Sequence, residues 1–292
     1  MKKLKHITIS GEVGSGKSIL GGKLKEFLNI EIISIGKIQR EKAEEMNLSS
    51  LGFNKYLEKN SSFDKEVDNE VVRLGKELNP LIFFSRMAWF FVPDSFKIHL
   101  LANSTVAADR ILRDKGRIQE DYSDFNDAKE QIVKRKSSEN LRFRKLYGVD
   151  TNDLNNYDLV IDTTGVKPET ILKTVLDQYD AWLLQTGIEK FWVSPYQLYP
   201  TENFTNRSVE LSEKLVDLVK YNEKYFIVDG HHRVNRKLLD KIEMMPARLT
   251  DQKSISNVTT DKFLMDSVNR DGIFRWEDIH GFKFSEYPHW IN

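Results

Sequence analysis

The sequence predicts an α/β fold, in which helices cover both faces of a parallel sheet, followed by a smaller α+β domain. Short apolar segments alternate with helical segments between residues 6 and 176, and a glycine-rich turn joins the first of each. Near-continuous apolar strands separated by helices are typical of a parallel sheet buried on both faces. The alternation ends near residue 185, so we predict domains of 1–184 and 185–292.

The strands and helices of the first domain follow from their hydrophobic periodicity. The predicted strands are residues 6–10, 31–34, 80–84, 96–101 and 158–163. The predicted helices are residues 19–28, 36–46, most of 106–145, and a segment that begins at 168. Ligands of such sheets bind outside the carboxyl ends of the strands, where the glycine-rich turn lies.

Composition excludes some function classes. The 292 residues include 44 basic and 44 acidic side chains and no cysteine. Disulfides, thiolate metal sites and cysteine nucleophiles are therefore excluded, and the neutral balance does not favour nucleic acid or membrane partners. Because no apolar run approaches membrane-spanning length, we expect a cytoplasmic protein.

Residues 11–18, GEVGSGKS, form a complete G-x-x-x-x-G-K-[ST] motif between a predicted strand and a predicted helix. Backbone N–H groups of such a loop surround a polyphosphate, while Lys17 reaches the β- and γ-phosphates and Ser18 ligates Mg²⁺. The alternative is a glycine turn without a ligand. We predict that ATP and Mg²⁺ bind here. The predicted phosphate-binding residues are Gly11, Gly14, Ser15, Gly16, Lys17 and Ser18.

The helical stretch 106–145 is rich in arginine. A kinase needs several guanidinium groups around the transferred phosphoryl group, although most charge runs are solvated helix faces. We predict phosphate contacts for Arg110, Arg113, Arg135 and Arg142, and solvent-exposed positions for Arg117 and Arg144.

Three of the charged residues in this stretch share one helix stripe. Arg135, Glu139 and Arg142 are spaced i, i+4 and i+7, so a carboxylate lies between two guanidinium groups. Such a carboxylate can orient both arginines or bind an exocyclic amino group. The alternative is an ion-pair ladder on the surface, which contributes little to stability.

Residues 7–176 resemble the short, archaeal-type cytidylate kinases of the nucleoside monophosphate kinase group. The matching segments are the phosphate-binding loop, residues 33–40, 64–68, 85–89, 135–142, 146–150 and 156–163. The resemblance implies a P-loop core, a monophosphate-binding arm near 34–68 and a helical lid around 113–127. It also implies transfer of the γ-phosphoryl group of ATP to CMP or dCMP.

The same resemblance implies roles for individual residues. Arg40 and Arg86 would hold the acceptor phosphate, and Arg113 would act from the lid. Arg135, Glu139 and Arg142 would meet the acceptor nucleotide and the transferred group. Similar kinases carry an acidic residue and a glycine directly before the arginine that Arg86 matches, but this chain has Phe84 and Ser85. The departure either weakens the Mg²⁺ site or moves its duty to Asp64 or Asp68.

A second motif, Asp229-Gly230-His231-His232-Arg233, follows a predicted strand and precedes a predicted helix at 234–239. We also predict a helix over 209–219 and a strand at 245–249. Free N–H groups at a helix start and the guanidinium of Arg233 can bind an anion, and the two histidines can donate to phosphate or transfer protons. Alternatively, Asp229 caps the helix and the histidines are incidental. A zinc site is disfavoured because Asp229 is the only carboxylate in the motif.

Residues 190–250 resemble the ParB/sulfiredoxin-like fold, whose strand–turn–helix motif binds nucleotide phosphate. The fold includes CTP-hydrolysing partition proteins, sulfiredoxins and free-serine kinases, and the absence of cysteine excludes sulfiredoxin chemistry. The resemblance implies a catalytic Asp229 and a substrate site of Glu202, His231, His232 and Arg233.

Three functions remain open on the sequence alone. The first is a kinase whose acceptor is a CMP-like nucleotide. The second is a kinase for a small hydroxylated molecule such as serine, which would use the Asp229–Arg233 motif. The third is a nucleotide-gated binding module. The expected partner is a nucleotide or small-molecule phosphoryl acceptor; nucleic acid is disfavoured, and the sequence does not indicate an oligomeric state.

Overall fold

The computed structural model describes residues 3–60, 62–114, 122, 124–202, 214–250 and 270–288. The chain divides into two units. The first comprises Met1–Thr163 and Ile171–Ile188, and the second comprises Thr164–Thr170 and Glu189–Asn292. The division assigns 164–170 to the second unit, whereas the sequence predicts one boundary after residue 184.

The described part of the first unit contains a parallel sheet of order β2-β3-β1-β4-β5. Its strands are β1 (Ile7–Gly11), β2 (Glu31–Ser34), β3 (Leu81–Phe84), β4 (Phe96–Leu101) and β5 (Leu159–Asp162). All five strands predicted for this domain are confirmed to within two residues. β1 is central and buried along its whole length, as expected for a strand with helices on both faces. Its carboxyl end leads into the glycine-rich turn.

The described helices of the first unit are α1 (Lys17–Leu28), α2 (Ile35–Glu45), α3 (Ser50–Lys59), α4 (Ser62–Leu74), α5 (Ala88–Phe91), α6 (Ser104–Arg113), α7 (Phe125–Tyr147) and the part of α8 (Pro168–Leu184) after residue 170. Four of them, α1, α2, α4 and α7, line the cleft described below. The helical stretch predicted at 106–145 is therefore two helices, α6 and α7. Most of the predicted lid around 113–127 lies outside the described residues, which omit 115–121 and 123.

One side chain of α8 fixes the start of β1. The hydroxyl of Tyr179 accepts a hydrogen bond from the backbone N–H of Lys5 at 2.8 Å and donates to its carbonyl at 2.7 Å. Tyr179 is almost fully buried. The last helix of the unit thus holds the backbone that enters its first strand.

The second unit contains a mixed sheet of order β6-β10-β8-β9-β7. Its described elements are β6 (Phe191–Val193), β7 (Leu198–Tyr199), β8 (Val216–Tyr221), β9 (Lys224–Asp229), α9 (His231–Leu239), β10 (Met245–Leu249) and α10 (Arg270–His280). β10 runs antiparallel to β6 and parallel to β8, while β9 runs antiparallel to β8 and parallel to β7. The predicted strand at 245–249 is confirmed.

The helix predicted over 209–219 is wrong where the structure describes it. Residues 216–221 form β8, which pairs with β9 as a hairpin, and residues 203–213 lie outside the described part. Asn222 and Glu223 connect the strands with φ angles of 45° and 63°. Two consecutive left-handed residues match the twist of a two-residue hairpin, so the turn selects the strand over the helical spacing of the apolar residues.

In the described part of the chain, no helix combines the length and apolar character needed to cross a bilayer.

Candidate active site

The glycine-rich turn has the backbone that a phosphate cradle requires. β1 ends at Gly11 and α1 begins at Lys17, with Gly16 before it at φ 87°. Gly14 has φ 76°, and a β-carbon there would lie 2.6 Å from the carbonyl oxygen of Ala107. Only glycine fits both the conformation and the space at this position. The motif therefore forms the strand, turn and helix start that its sequence predicts.

Arg110 of α6 donates a hydrogen bond to the backbone of this loop. Its Nη1 donates to the carbonyl of Gly14 at 3.1 Å and to the hydroxyl of Thr163 at 2.9 Å, and its Nη2 donates to the carbonyl of Thr163 at 2.8 Å. Thr163 in turn donates to the carbonyl of Ser15 at 3.1 Å. Burial lowers the pKa of Arg110. Arg110 thus links the loop to Thr163, and its predicted phosphate contact stays a prediction.

The side chain of Lys17 contacts the backbone of its own loop. Its ammonium donates to the carbonyls of Gly11 at 2.7 Å and Glu12 at 2.5 Å. The carboxylate of Glu12 pairs with Lys136 of α7. Lys17 and Ser18 both line a cleft formed by α1, α2, α4, α7 and the segment after β3.

Most of the charged residues predicted from the sequence meet in this cleft. Its polar lining includes Lys17, Ser18, Arg40, Asp64, Asp68, Arg86, Arg135, Glu139 and Arg142. Cationic side chains thus face the end of the phosphate-binding loop, an arrangement suited to polyphosphate and phosphate monoesters. The structure therefore places in one cleft the residues to which the resemblance assigns acceptor and phosphate roles: Arg40, Arg86, Arg135, Glu139 and Arg142.

Glu139 organises two of the guanidinium groups. Its Oε1 accepts from Nε of Arg135 at 2.9 Å, and its Oε2 pairs with Nη1 of Arg86. The Glu139 side chain is 5% exposed and that of Arg135 is 16% exposed, so the alternative of a surface ladder is wrong. The helix stripe predicts Arg135 as a partner, and the structure adds Arg86, which lies outside that helix. Burial, and next the charge of Arg135, lower the pKa of Arg86.

Arg142 pairs with an acid of α4. Its Nε lies 3.4 Å from Oδ2 of Asp64, and both side chains are at least 95% buried. Burial raises the pKa of Asp64. Burial also raises the pKa of Asp68 to about 6, and the charge of Asp64 adds to this. The hydroxyl of Tyr147 donates to Asp68 and offsets part of the rise.

The remaining arginines of the run lie away from the cleft or outside the described residues. The Arg113 side chain is 80% exposed at the end of α6 and pairs with Asp109 at 2.9 Å, so its lid role stays a prediction. Arg144 is exposed, as predicted, and pairs with Asp150. Arg117 lies outside the described residues.

The departure from the family pattern places an aromatic ring in the cleft wall. Phe84 lines the cleft at the end of β3 and packs against Gly21 of α1. The hydroxyl of Ser85 accepts from the N–H of Met87 at 3.1 Å. Within the described residues, no group of three or more acidic, histidine or cysteine side chains could hold a metal ion.

The second motif has the predicted strand, turn and helix, with the helix three residues longer at its start. β9 ends at Asp229, Gly230 has φ 106°, and α9 begins at His231. Gly230, not Asp229, is the N-cap, and no side chain caps the helix. The alternative of an Asp229 cap is therefore wrong. Asp229 accepts from Nη2 of Arg233 at 2.6 Å.

His231 has a structural partner that the sequence does not indicate. Its Nε2 accepts from the backbone N–H of Thr201 at 3.0 Å. The histidine is 6% exposed, and burial lowers its pKa. Oε2 of Glu202 lies 4.0 Å from the other ring nitrogen, while His232 is partly buried. Glu202 thus lies near His231, whose Nε2 is occupied by the Thr201 backbone, and the predicted substrate site stays a prediction.

A strand, a glycine cradle and a lysine at the first position of a helix, opposite a buried cluster of arginines, are the parts of a phosphoryl-transfer site. The chain is a P-loop kinase, a phosphotransferase. A family model described as the cytidylate kinase-like family matches residues 6–165, and the chain belongs to that family.

Named relatives match a similar length of the chain. The cytidylate kinase of Sulfurisphaera tokodaii is 35% identical over 184 residues, which are 62% of this chain and 98% of the relative. That of Methanobrevibacter smithii is 36% identical over 170 residues, 58% of this chain and 95% of the relative. A solved shikimate kinase from Acinetobacter baumannii, in complex with shikimate, is 13% identical and covers 64% of this chain and 97% of its own, with a TM-score of 0.41. That likeness is too distant to decide anything about this chain.

Proposed function

We propose that this nucleotide kinase transfers the γ-phosphoryl group of ATP to the phosphate of a CMP-like nucleotide. The observation that carries the proposal is that one cleft is lined both by Lys17 and Ser18 and by the cluster of Arg86, Glu139 and Arg135. One end of the cleft suits a triphosphate, and the cluster suits the monophosphate of an acceptor. The names of the archaeal relatives support CMP as that acceptor.

Magnesium fits the residues present. Mg²⁺ takes one or two protein oxygens and completes its shell with water and substrate phosphates, so the absence of a three-residue cluster among the described residues does not conflict with it. The hydroxyl of Ser18 lines the cleft beside Lys17 and would hold the ion. When bound, the ion would neutralise charge on the β- and γ-phosphates.

The chain's own residues supply positioning and charge. The loop backbone holds the phosphates of ATP, and Lys17 stabilises charge that develops on the γ-phosphoryl group. Arg40 and Arg86 hold the acceptor phosphate, while Arg135 and Arg142 approach the transferred group. The acceptor phosphate is its own nucleophile, so no strong general base is needed. We assign Arg113 to the lid and expect it to act when the lid closes.

A panel of acceptors with γ-labelled ATP tests this proposal. We expect label on CMP and dCMP, and none when Lys17→Ala protein is used. Arg86→Ala should raise the KM for the acceptor more than that for ATP, because Arg86 belongs to the acceptor cluster. Absence of label on every nucleotide would reject the proposed acceptor class.

A second candidate concerns the second unit. We propose that residues 190–250 adopt a ParB/sulfiredoxin-like fold and phosphorylate a small hydroxylated molecule such as serine. Supporting this is the position of Arg233, paired with Asp229, beside His231 and Glu202 at the start of α9. Label on serine that is lost in Asp229→Ala and kept in Asp240→Ala would support it; serine without label would reject it.

A further inference from the structure

Two acids of the cleft have no part in the phosphate chemistry proposed above. Asp64 and Asp68 lie one turn apart on α4, and both line the cleft that holds Lys17 and Arg86. The arginines of the cleft account for phosphate binding. We therefore expect the two carboxyl groups to bind a part of the ligand other than its phosphates.

Neither carboxyl group has its full complement of hydrogen bonds. Asp64 is 5% exposed, and its Oδ2, although 3.4 Å from Arg142, receives no hydrogen bond in the described part of the chain. Asp68 receives the hydroxyl of Tyr147 on one oxygen. Buried acceptors without donors are costly, and native proteins keep them where a ligand supplies the donor. The donor required here is an N–H or O–H group.

The surroundings suit a flat ring rather than a cation. Val67, between the two acids on α4, and Phe143 of α7 line the same cleft and present apolar surface. The guanidinium of Arg142 already stands beside Asp64 and would repel a second cation. A ring that carries a polar hydrogen-bond donor at its edge satisfies both the apolar walls and the carboxyl oxygens.

We propose that Asp64 and Asp68 determine base specificity by accepting hydrogen bonds from the exocyclic amino group of cytosine. This inference rests on the proposed function and assigns the base-binding side of the same site. Carboxylates accept from the N4 amino group of cytosine, whereas uracil presents a carbonyl oxygen at that position. An acceptor facing an acceptor is repelled and leaves both groups buried without a donor. The pair therefore selects CMP over UMP.

Equilibrium titrations with CMP and with UMP, without ATP, test the assignment on the full chain. Wild-type protein should bind CMP roughly tenfold or more tightly than UMP, the effect of one mispaired buried hydrogen bond. In Asp68→Asn the side-chain amide can either accept or donate a hydrogen bond, so the ratio of the CMP affinity to the UMP affinity should fall towards one. Asp64→Asn should act in the same direction. Asp177→Asn, an exposed carboxylate of α8 paired with Lys173, is the matched control and should keep the wild-type ratio.

Thermal unfolding and Mg·ATP binding of each variant show that the fold and the phosphate-binding loop are intact. If Asp64→Asn fails to fold, Asp68→Asn alone decides, because its carboxylate is not paired with an arginine. A CMP preference that survives in folded Asp68→Asn overturns this assignment and leaves the proposed function in place. Wild-type protein that binds neither nucleotide overturns both. Lost Mg·ATP affinity with an unchanged CMP-to-UMP ratio would make the acids part of a metal site and also overturn the assignment.

Discussion

A β-carbon placed on Gly21 would lie 1.7 Å from the ring carbon Cζ of Phe84 and 2.3 Å from Cε1. The phenyl ring therefore occupies the space that any other residue at position 21 would need. Phe84 lines the cleft, and its ring packs directly on the glycine of α1. The wall of the cleft beside the phosphate-binding loop depends on both.

Gly21→Ala should lower the free energy of unfolding by about 1–3 kcal/mol, because overpacking exceeds the roughly 1 kcal/mol that alanine contributes to a helix. Gly22→Ala is the matched control, since a β-carbon there meets nothing within 4 Å. It should stabilise the protein. Phe84→Ala combined with Gly21→Ala should recover part of the loss, and a double-mutant cycle by urea unfolding measures the coupling. Equal effects of the two glycine variants would contradict the steric account.

Lys17→Ala should reduce kcat by about 10²–10³, the usual cost of removing a charge donor at the transition state. Its hydrogen bonds to two loop carbonyls are partly exposed, so the fold should persist. Steady-state phosphoryl transfer and circular dichroism provide the two readouts. Lys25→Ala, on the same helix and paired with Glu31 at the surface, should behave like wild type. Full turnover by Lys17→Ala would show that Lys17 takes no part in catalysis.

Arg110→Ala should weaken ATP binding and lower the free energy of unfolding by about 1–3 kcal/mol, because carbonyls of Gly14 and Thr163 lose their donor. Arg113→Ala should leave stability nearly unchanged, since its pair with Asp109 is exposed. Calorimetric titration with Mg·ATP and chemical unfolding separate the two arginines. An Arg110 variant that binds ATP as well as wild type would show that the loop holds its shape without this side chain.

The free energy of unfolding should depend on pH through Asp68. Its pKa rises from 3.8 to about 6 on folding, so between these values the folded state holds a proton that the unfolded state has lost. Stability therefore falls as pH rises through this window and reaches its lower level above about pH 6. Asp68→Asn should be increasingly stable relative to wild type from pH 4 to pH 7. Tyr147→Phe removes a hydrogen bond that lowers this pKa and should move the upper edge of the window to higher pH; a stability difference that stays flat between pH 4 and 7 would contradict the assignment.

The sequence predicts those parts of the site that depend on neighbours along the chain. The strand–loop–helix of residues 7–28 is local, and its motif and periodicity agree. The pairing of Glu139 with Arg86 is not predictable in this way, because Arg86 lies in the segment after β3 and no helix spacing connects the two residues. Arg110 is similar: its place on α6 is predictable, whereas the carbonyls that it meets are not.

The same limit explains the failures in the second unit. The apolar spacing before Val219 suits a helix, yet the hairpin turn at Asn222 and Glu223 pairs this segment with β9. Tertiary pairing overrides local spacing in such cases. The acceptor role of His231 towards the Thr201 backbone likewise depends on a strand end 30 residues earlier in the chain.

The pairing of Lys5 with Tyr179 orders events during synthesis. β1 lies at the centre of its sheet and is made before the other described strands, and the backbone that enters it is held by a hydroxyl that is made 174 residues later. At 5–20 residues per second, the interval is roughly ten to thirty seconds. Because β3 and β4 are both complete by residue 101, the two edges of β1 can pair well before the helix that carries Tyr179 is made.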